Sequence, residues 1–279
     1  MGITDRERIA EQLKGEARKE LVAWKQKRGY TPHFTFMIFQ HDDANRAMVE
    51  QQQEVCHQIE IDSSLFLLDR ETASIEVLEL IGKLNNEPQG NGLILQIPLT
   101  LVSYLDWIFA ILDPEKDLAG LHPMNIGRLM SDDSALVPLL PGAIVEILEK
   151  RGVTLRGARA VIASADQLFA KAVAMLLLHK QATVTVCQSV SLTLQKMTLE
   201  ADLLISALGV PLWLHGDMVK DGALLFDLGS FFFDGSQEAE FDLSSLRKPV
   251  TVIERERDLE PVLETIFLRN AIKVWKNDA

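Results

Sequence analysis

The sequence predicts an α/β protein of two domains with a cleft between them. Three observations carry this. Short apolar runs suited to buried strands alternate with longer stretches of helical period, the rhythm of parallel sheets with crossover helices. A turn-rich interval, DPEKDLAGLHPMNIGRLMSDDS, interrupts that rhythm near residue 120, after which it resumes. The chain has 279 residues, 47% of them apolar, enough to fill two ordinary cores.

In the first half, residues 4–28 have helical periodicity, with Ile9, Leu13, Leu21 and Trp24 as the buried stripe. HFTFMIFQ alternates and is rich in aromatics, so it reads as a strand. DANRAMVEQQQEVCHQI follows as a helix, SSLFLLD as a short strand and SIEVLELIGKLNN as another helix. GLILQIPL is a near-continuous apolar run ending in proline, the pattern of a buried parallel strand, and LVSYLDWIFAIL is helical. These elements predict a three-layer α/β domain over residues 1–120. In the second half AIVEILEKRG is a helix with a glycine stop, ARAVIAS a strand, QLFAKAVAMLLLHK a helix and ATVTVCQ a strand. ADLLISA, GALLFDLG and PVTVI supply further strands. That order predicts a Rossmann-type parallel-sheet domain over residues 121–257. The last helix, LEPVLETIFLRNAIKVW, is expected to return to the first domain, so residues 258–279 are assigned there.

Charge narrows the function classes. Lys and Arg number 28 against 40 Asp and Glu, a formal net charge of −12. Such a surface repels nucleic acid and anionic lipid, so neither is an expected partner. No run approaches the roughly 20 apolar residues of a membrane helix. The charged, helix-patterned N-terminus does not read as a signal peptide. Cys56 and Cys187 match no metal or disulfide spacing and read as buried, inert thiols of a cytoplasmic protein. His41, Asp42 and Asp43 have the residue types of an acid/base or metal site. Acidic residues ahead of a helix are ordinary N-caps, however, and that reading is preferred; no metal is expected.

Several segments resemble the bifunctional methylenetetrahydrofolate dehydrogenase/cyclohydrolase family, in order and almost without gaps. GLILQIPLT (92–100) is similar to the family's Gly-Ile-Leu-Val-Gln-Leu-Pro-Leu-Pro. DLAGLHPMNIG (117–127) resembles its domain-linking Asp-Val-Asp-Gly-Phe-His-Pro-x-Asn-x-Gly, and ATVTVCQS (182–189) its Ala-Thr-Val-Thr-x-Cys-His-Ser. ADLLISALGVP and GALLFDLG match two further segments. The resemblance implies the family's fold and a substrate cleft lined by Met48, Gln52, Gln96, Pro98 and Ala119. Gln96 is read as hydrogen-bonding a folate-like ligand or the residue at position 52. His122 and Asn125 are retained, and read as parts of a fixed turn around Pro123.

The same comparison shows departures. Met48 and Gln52 stand at the positions of the family's Tyr-x-x-x-Lys pair; a glutamine has no titratable proton to transfer. Ala119 stands where an aspartate would hold the pterin edge, and a methyl group accepts no hydrogen bond. PVTVIERERD (249–258) replaces a glycine-rich closing loop, its ERER run reading as a solvated, charge-balanced loop. In the first turn of the second domain, AVIASADQLFA (160–170), Ser164 replaces the arginine that pairs with the extra phosphate of NADP. Phe169 replaces the small residue that lets phosphate approach, Gln188 a histidine, and Lys171 reads as a solvated surface residue.

Taken together these changes predict loss of NADP-linked redox activity, with neither NAD nor NADP bound. The expectation is a folate-binding enzyme, using a tetrahydrofolate derivative, that moves a one-carbon unit without redox chemistry. A non-catalytic binding or assembly partner stands beside it as the alternative. The expected partners are a small molecule in the interdomain cleft and a second copy of the chain. Three adjacent phenylalanines, Phe231, Phe232 and Phe233, cannot all point inward from one strand, so one face is exposed or covered by a partner. The resemblance implies a homodimer contact there, with a heteromeric partner as the alternative.

Overall fold

The computed structural model describes residues 3–39, 43–68, 74–87, 91–96, 108–131, 136–188, 191, 193–228, 239–247, 249–253 and 259–277. The chain forms two compact units, one of residues 1–139 with 262–279 and the other of 140–261. The two sheets, each wholly parallel, agree with the α/β class that the alternating runs predict.

In the first unit, α1 (Ile3–Arg28), β1 (His33–Phe39), α2 (Asp43–Gln58), β2 (Asp62–Leu68), α3 (Ser74–Asn86) and β3 (Gly92–Gln96) follow one another. The strands order β2-β1-β3, with Phe36 of β1 opposite Leu65 and Ile94. Successive side chains of a strand face opposite ways, and this sorts the core into two clusters. Phe34, Phe36 and Ile38 pack with Leu13, Ala17, Leu21 and Trp24 of α1 and with Val49 and Cys56 of α2. Met37, Leu93 and Leu95 pack on the other face with Val77, Ile81 and Leu84 of α3. The first unit is therefore three layers deep. Leu13, Leu21 and Trp24 are buried as their spacing predicts.

The interval read as turn-rich holds a helix, α4 (Pro123–Met130), which the pattern did not suggest. It starts at a His-Pro step. His122 Nδ1 accepts from Met124 N–H at 3.0 Å, and Pro123 occupies a first-turn position where a missing N–H costs nothing. Next, α5 (Leu139–Lys150) ends at Gly152, whose φ of +67° fits the glycine stop read from the sequence.

The second unit continues with β4 (Arg159–Ser164), α6 (Gln167–His179), β5 (Thr183–Cys187), α7 (Leu194–Leu199), β6 (Leu203–Ala207), β7 (Leu224–Asp227) and β8 (Thr251–Ile253). The strand order is β5-β4-β6-β7-β8. The order reverses beside β4, so the carboxyl ends of β4 and β6 flank the switch point where ligands of open α/β sheets bind. The last helix, α8 (Glu260–Asn277), carries Phe267, Ala271 and Trp275 into the first unit's core. Trp275 stacks on Phe34 at 6.0 Å between ring centroids.

Candidate functional site

The turn that leads into α4 is held by a buried carboxylate. Asp117, 1% exposed, forms an isolated parallel bridge with Leu93 of β3. Its Oδ2 accepts from His122 N–H at 2.7 Å and from Asn125 Nδ2 at 3.0 Å. His122 Nδ1 is an acceptor, so Nε2 carries the ring proton and donates to the Phe109 carbonyl at 2.9 Å. His122 and Asn125 are thus the structural parts of a fixed turn, as the sequence reading held. Ala119, 3% exposed, sits in the core cluster beside Leu118.

Burial pushes the Asp117 carboxyl above its ordinary value of 3.8, against the hydrogen bonds that favour its charge. The folded state then holds this proton more tightly than the unfolded chain does. Its contribution is fully present below 3.8 and is lost as pH rises through the raised folded value. Asp117→Asn keeps an acceptor for both donors and removes the titration. Its unfolding free energy is expected to match the wild type in acid and to fall less as pH rises, measured by urea titration across the acid-to-neutral range.

The other site candidates of the first unit fall as follows. Gln52 lies on the inward face of α2, 3% exposed, one turn beyond the position of Met48 in the same helix. Gln96 ends β3 with its backbone opposite Ile38 of β1. Asp43 begins α2. His41, Asp42 and Pro98 lie outside the described residues, as do Phe231, Phe232, Phe233 and the run 254–258. Among the described residues no group of His, Cys, Asp or Glu suits a metal ion. Cys56 is fully buried, its thiol pushed up to about 12, and the Cys187 thiol is also raised by burial; both are poor nucleophiles.

In the second unit, the β4–α6 turn is short. Ser164 Oγ accepts from Asp166 N–H at 3.0 Å, and Asp166 Oδ1 caps α6 by accepting from Leu168 N–H at 2.8 Å. Ala165 and Gln167 are exposed, while Phe169 is 5% exposed and belongs to the interior. Lys171 reaches Gln167 at 3.5 Å and its charge acts on Asp166, and Gln188 is exposed.

Comparison with known proteins bears on this turn. Residues 4–119 match the family model described as tetrahydrofolate dehydrogenase/cyclohydrolase, catalytic domain, and residues 138–275 match the NAD(P)-binding domain of the same description. The chain belongs to the tetrahydrofolate dehydrogenase/cyclohydrolase family. Bifunctional protein FolD of Francisella tularensis subsp. novicida is 33% identical over 254 residues, covering 91% of this chain and 90% of the relative. FolD of Francisella philomiragia is 34% identical over 255 residues, with the same coverage. Among solved structures, FolD of Campylobacter jejuni has a TM-score of 0.80 at 26% identity, covering 99% of this chain and 98% of that one. The Trypanosoma brucei enzyme, solved with NADP and an inhibitor, has a TM-score of 0.82 at 22% identity, covering 97% and 95%, and attests the fold.

Two expectations are corrected by these findings. The family model over residues 138–275 is that of an NAD(P)-binding domain, against the expectation that neither NAD nor NADP is bound. The close relatives over nine-tenths of both chains are bifunctional dehydrogenase/cyclohydrolase-family proteins. The readings of a non-redox one-carbon enzyme and of a non-catalytic partner are set aside with the loss of redox activity that led to them. The physical reason lies in Phe169. Taken from the sequence as a plug in the phosphate path, its side chain is packed inside the unit, and the outer lip of the turn at Ala165 and Gln167 is open. The residues therefore fit a dinucleotide at the N-terminus of α6, with one cost: the Asp166 carboxylate already occupies part of that positive end.

Proposed function

We propose that the chain oxidises a methylenetetrahydrofolate with a nicotinamide dinucleotide, the folate held by the first unit and the dinucleotide by the carboxyl ends of β4 and β6. The observation that carries this reading is identity of 33–34% to FolD proteins along nine-tenths of the chain. Bound NAD(P)+ supplies the hydride acceptor. The chain's own part is binding and orientation. Gln52, buried on α2, offers a carboxamide that can donate to and accept from a folate. Ser164 Oγ and the Asp166 cap fix the β4–α6 turn. The Asp117 network fixes the segment carrying Ala119.

The relatives are bifunctional, and hydrolysis of the methenyl product belongs to the same reading. At that step Gln52 can orient a water but cannot transfer a proton, so hydrolysis is expected to be the slower limb. Two buried, free cysteines support a cytoplasmic enzyme, and a homodimer remains part of the proposal.

The test is to mix the protein with methylenetetrahydrofolate and NADP+ or NAD+, following the reduced nicotinamide and the methenyl product by absorbance. Folate-dependent reduction of at least one dinucleotide is expected, with methenyl product accumulating ahead of its hydrolysis. No reduction with either dinucleotide, from a folded sample, overturns the reading.

A further inference from the structure

The second unit buries a carboxylate. Glu240 is 1% exposed. Its Oε2 accepts from Ser206 Oγ and, at 3.1 Å, from Trp213 Nε1; its Oε1 accepts from Gly209 N–H. Trp213 Nε1 also lies 3.1 Å from Ser206 Oγ. Burying a carboxylate is costly unless donors surround it, and these three donors come from β6 and the segment that follows it.

That segment is also held by its backbone. Leu212 N–H donates to the Ala239 carbonyl at 3.0 Å, Leu214 N–H to the Glu240 carbonyl at 3.1 Å, and Asp242 N–H to the Leu214 carbonyl at 3.0 Å. Held so, Leu212 adopts a φ of +53°, a left-handed conformation that costs a leucine free energy. It does this in the open: Leu212 is 51% exposed and Val210 45%. The segment leaves the carboxyl end of β6, where Ser206 pairs with Ala163 and Ala207 with Ser164 of β4. A strained, apolar lip therefore follows directly on the strand end that borders the switch point, and strain of this kind gathers where ligands are clamped.

We propose that Glu240 is a positioning residue of the dinucleotide site. Its carboxylate holds residues 209–214 so that Val210 and Leu212 meet a flat heteroaromatic ring of the bound dinucleotide. The inference rests on the NAD(P)-binding reading above and adds to it the residues that shape the ring contact. Apolar contact with one face of a planar ring needs a rigid surface more than a specific hydrogen bond, which explains why the carboxylate is spent on the loop and not on the ligand.

Two variants test it, with dinucleotide binding measured by titration calorimetry on the full chain. Leu212→Gly removes the apolar surface and relieves the left-handed strain. Its melting temperature without ligand is expected to be at or above that of the wild type, while the Kd for NADP+ or NAD+ weakens on the order of tenfold. Glu240→Gln is expected to raise the KM for the dinucleotide by a similar factor and to leave the KM for the folate unchanged. Titration with ADP-ribose distinguishes the rings: an equal loss of affinity in Leu212→Gly assigns the adenine, and no loss assigns the nicotinamide, and either supports the contact. Where Glu240→Gln fails to fold, Leu212→Gly still decides the matter. A wild type that binds dinucleotide with Leu212→Gly binding it equally well overturns this inference alone. A folded wild type that binds neither dinucleotide overturns the NAD(P)-binding reading, and this inference falls with it.

Discussion

Replacing Phe267 with alanine is expected to destabilise the first unit by about 4 kcal/mol. Phe267 is fully buried on α8, with its ring edge-on to Phe34 at 5.7 Å and tilted against Phe36 at 6.1 Å. Both partners belong to β1, the central strand of the sheet. The ring thus ties residues near the C-terminus to the middle of a sheet laid down near the N-terminus. Truncation loses its transfer free energy and leaves a cavity walled by aromatic rings whose positions Trp275 and the parallel ladder also fix, so little collapse can offset it. Urea unfolding followed by circular dichroism checks the expectation; a loss below about 1 kcal/mol would mean that α8 is not integral to this core.

Gly120→Ala is expected to cost about 3 kcal/mol, from two causes that act together. The φ of Gly120 is +74°, which glycine adopts freely and alanine does not. A Cβ there would also lie 2.7–2.9 Å from the backbone of Val137 and Pro138, which has no flexible end to move aside. That backbone is fixed by Asn270 of α8, whose Oδ1 accepts from Val137 N–H at 3.1 Å and whose Nδ2 donates to the carbonyls of Val137 and Leu118 at 2.8 and 3.0 Å. Strain at Gly120 therefore acts on the segment that carries Asp117 and Ala119. Activity is expected to fall along with stability, and urea unfolding with a parallel activity assay measures both.

Most strands were legible because parallel, doubly covered strands are near-continuous apolar runs, as in RAVIAS and LLISA, while the edge strand TVTVC is β-branched at four of its five positions. The helix at Pro123–Met130 was not, because its start depends on His122 acting as a cap, a role outside the usual Ser, Thr, Asp and Asn. The short helix at Leu194–Leu199 was also missed, because six residues are too few to show a helical period. At the site, Phe169 in place of a small residue misled, because a sequence gives the size of a side chain and not the direction in which it packs. Asp166 could have been read from the sequence, since an aspartate ahead of a helical run is the ordinary N-cap. Glu240 and Asn270 could not, since their partners lie 31 and 152 residues away, respectively, and the bonds exist only once the sheets have formed.

The claim on which the function depends is that the second unit accepts a dinucleotide despite the carboxylate at the start of α6. Thermal unfolding of the wild type with increasing NADP+ or NAD+ tests it without any reaction. A ligand bound by the folded state alone stabilises by about 2.7 kcal/mol at a hundredfold excess over its Kd. The melting temperature is therefore expected to climb steadily with the concentration of at least one of the two. A melting temperature that stays constant up to millimolar concentrations of both would contradict the account.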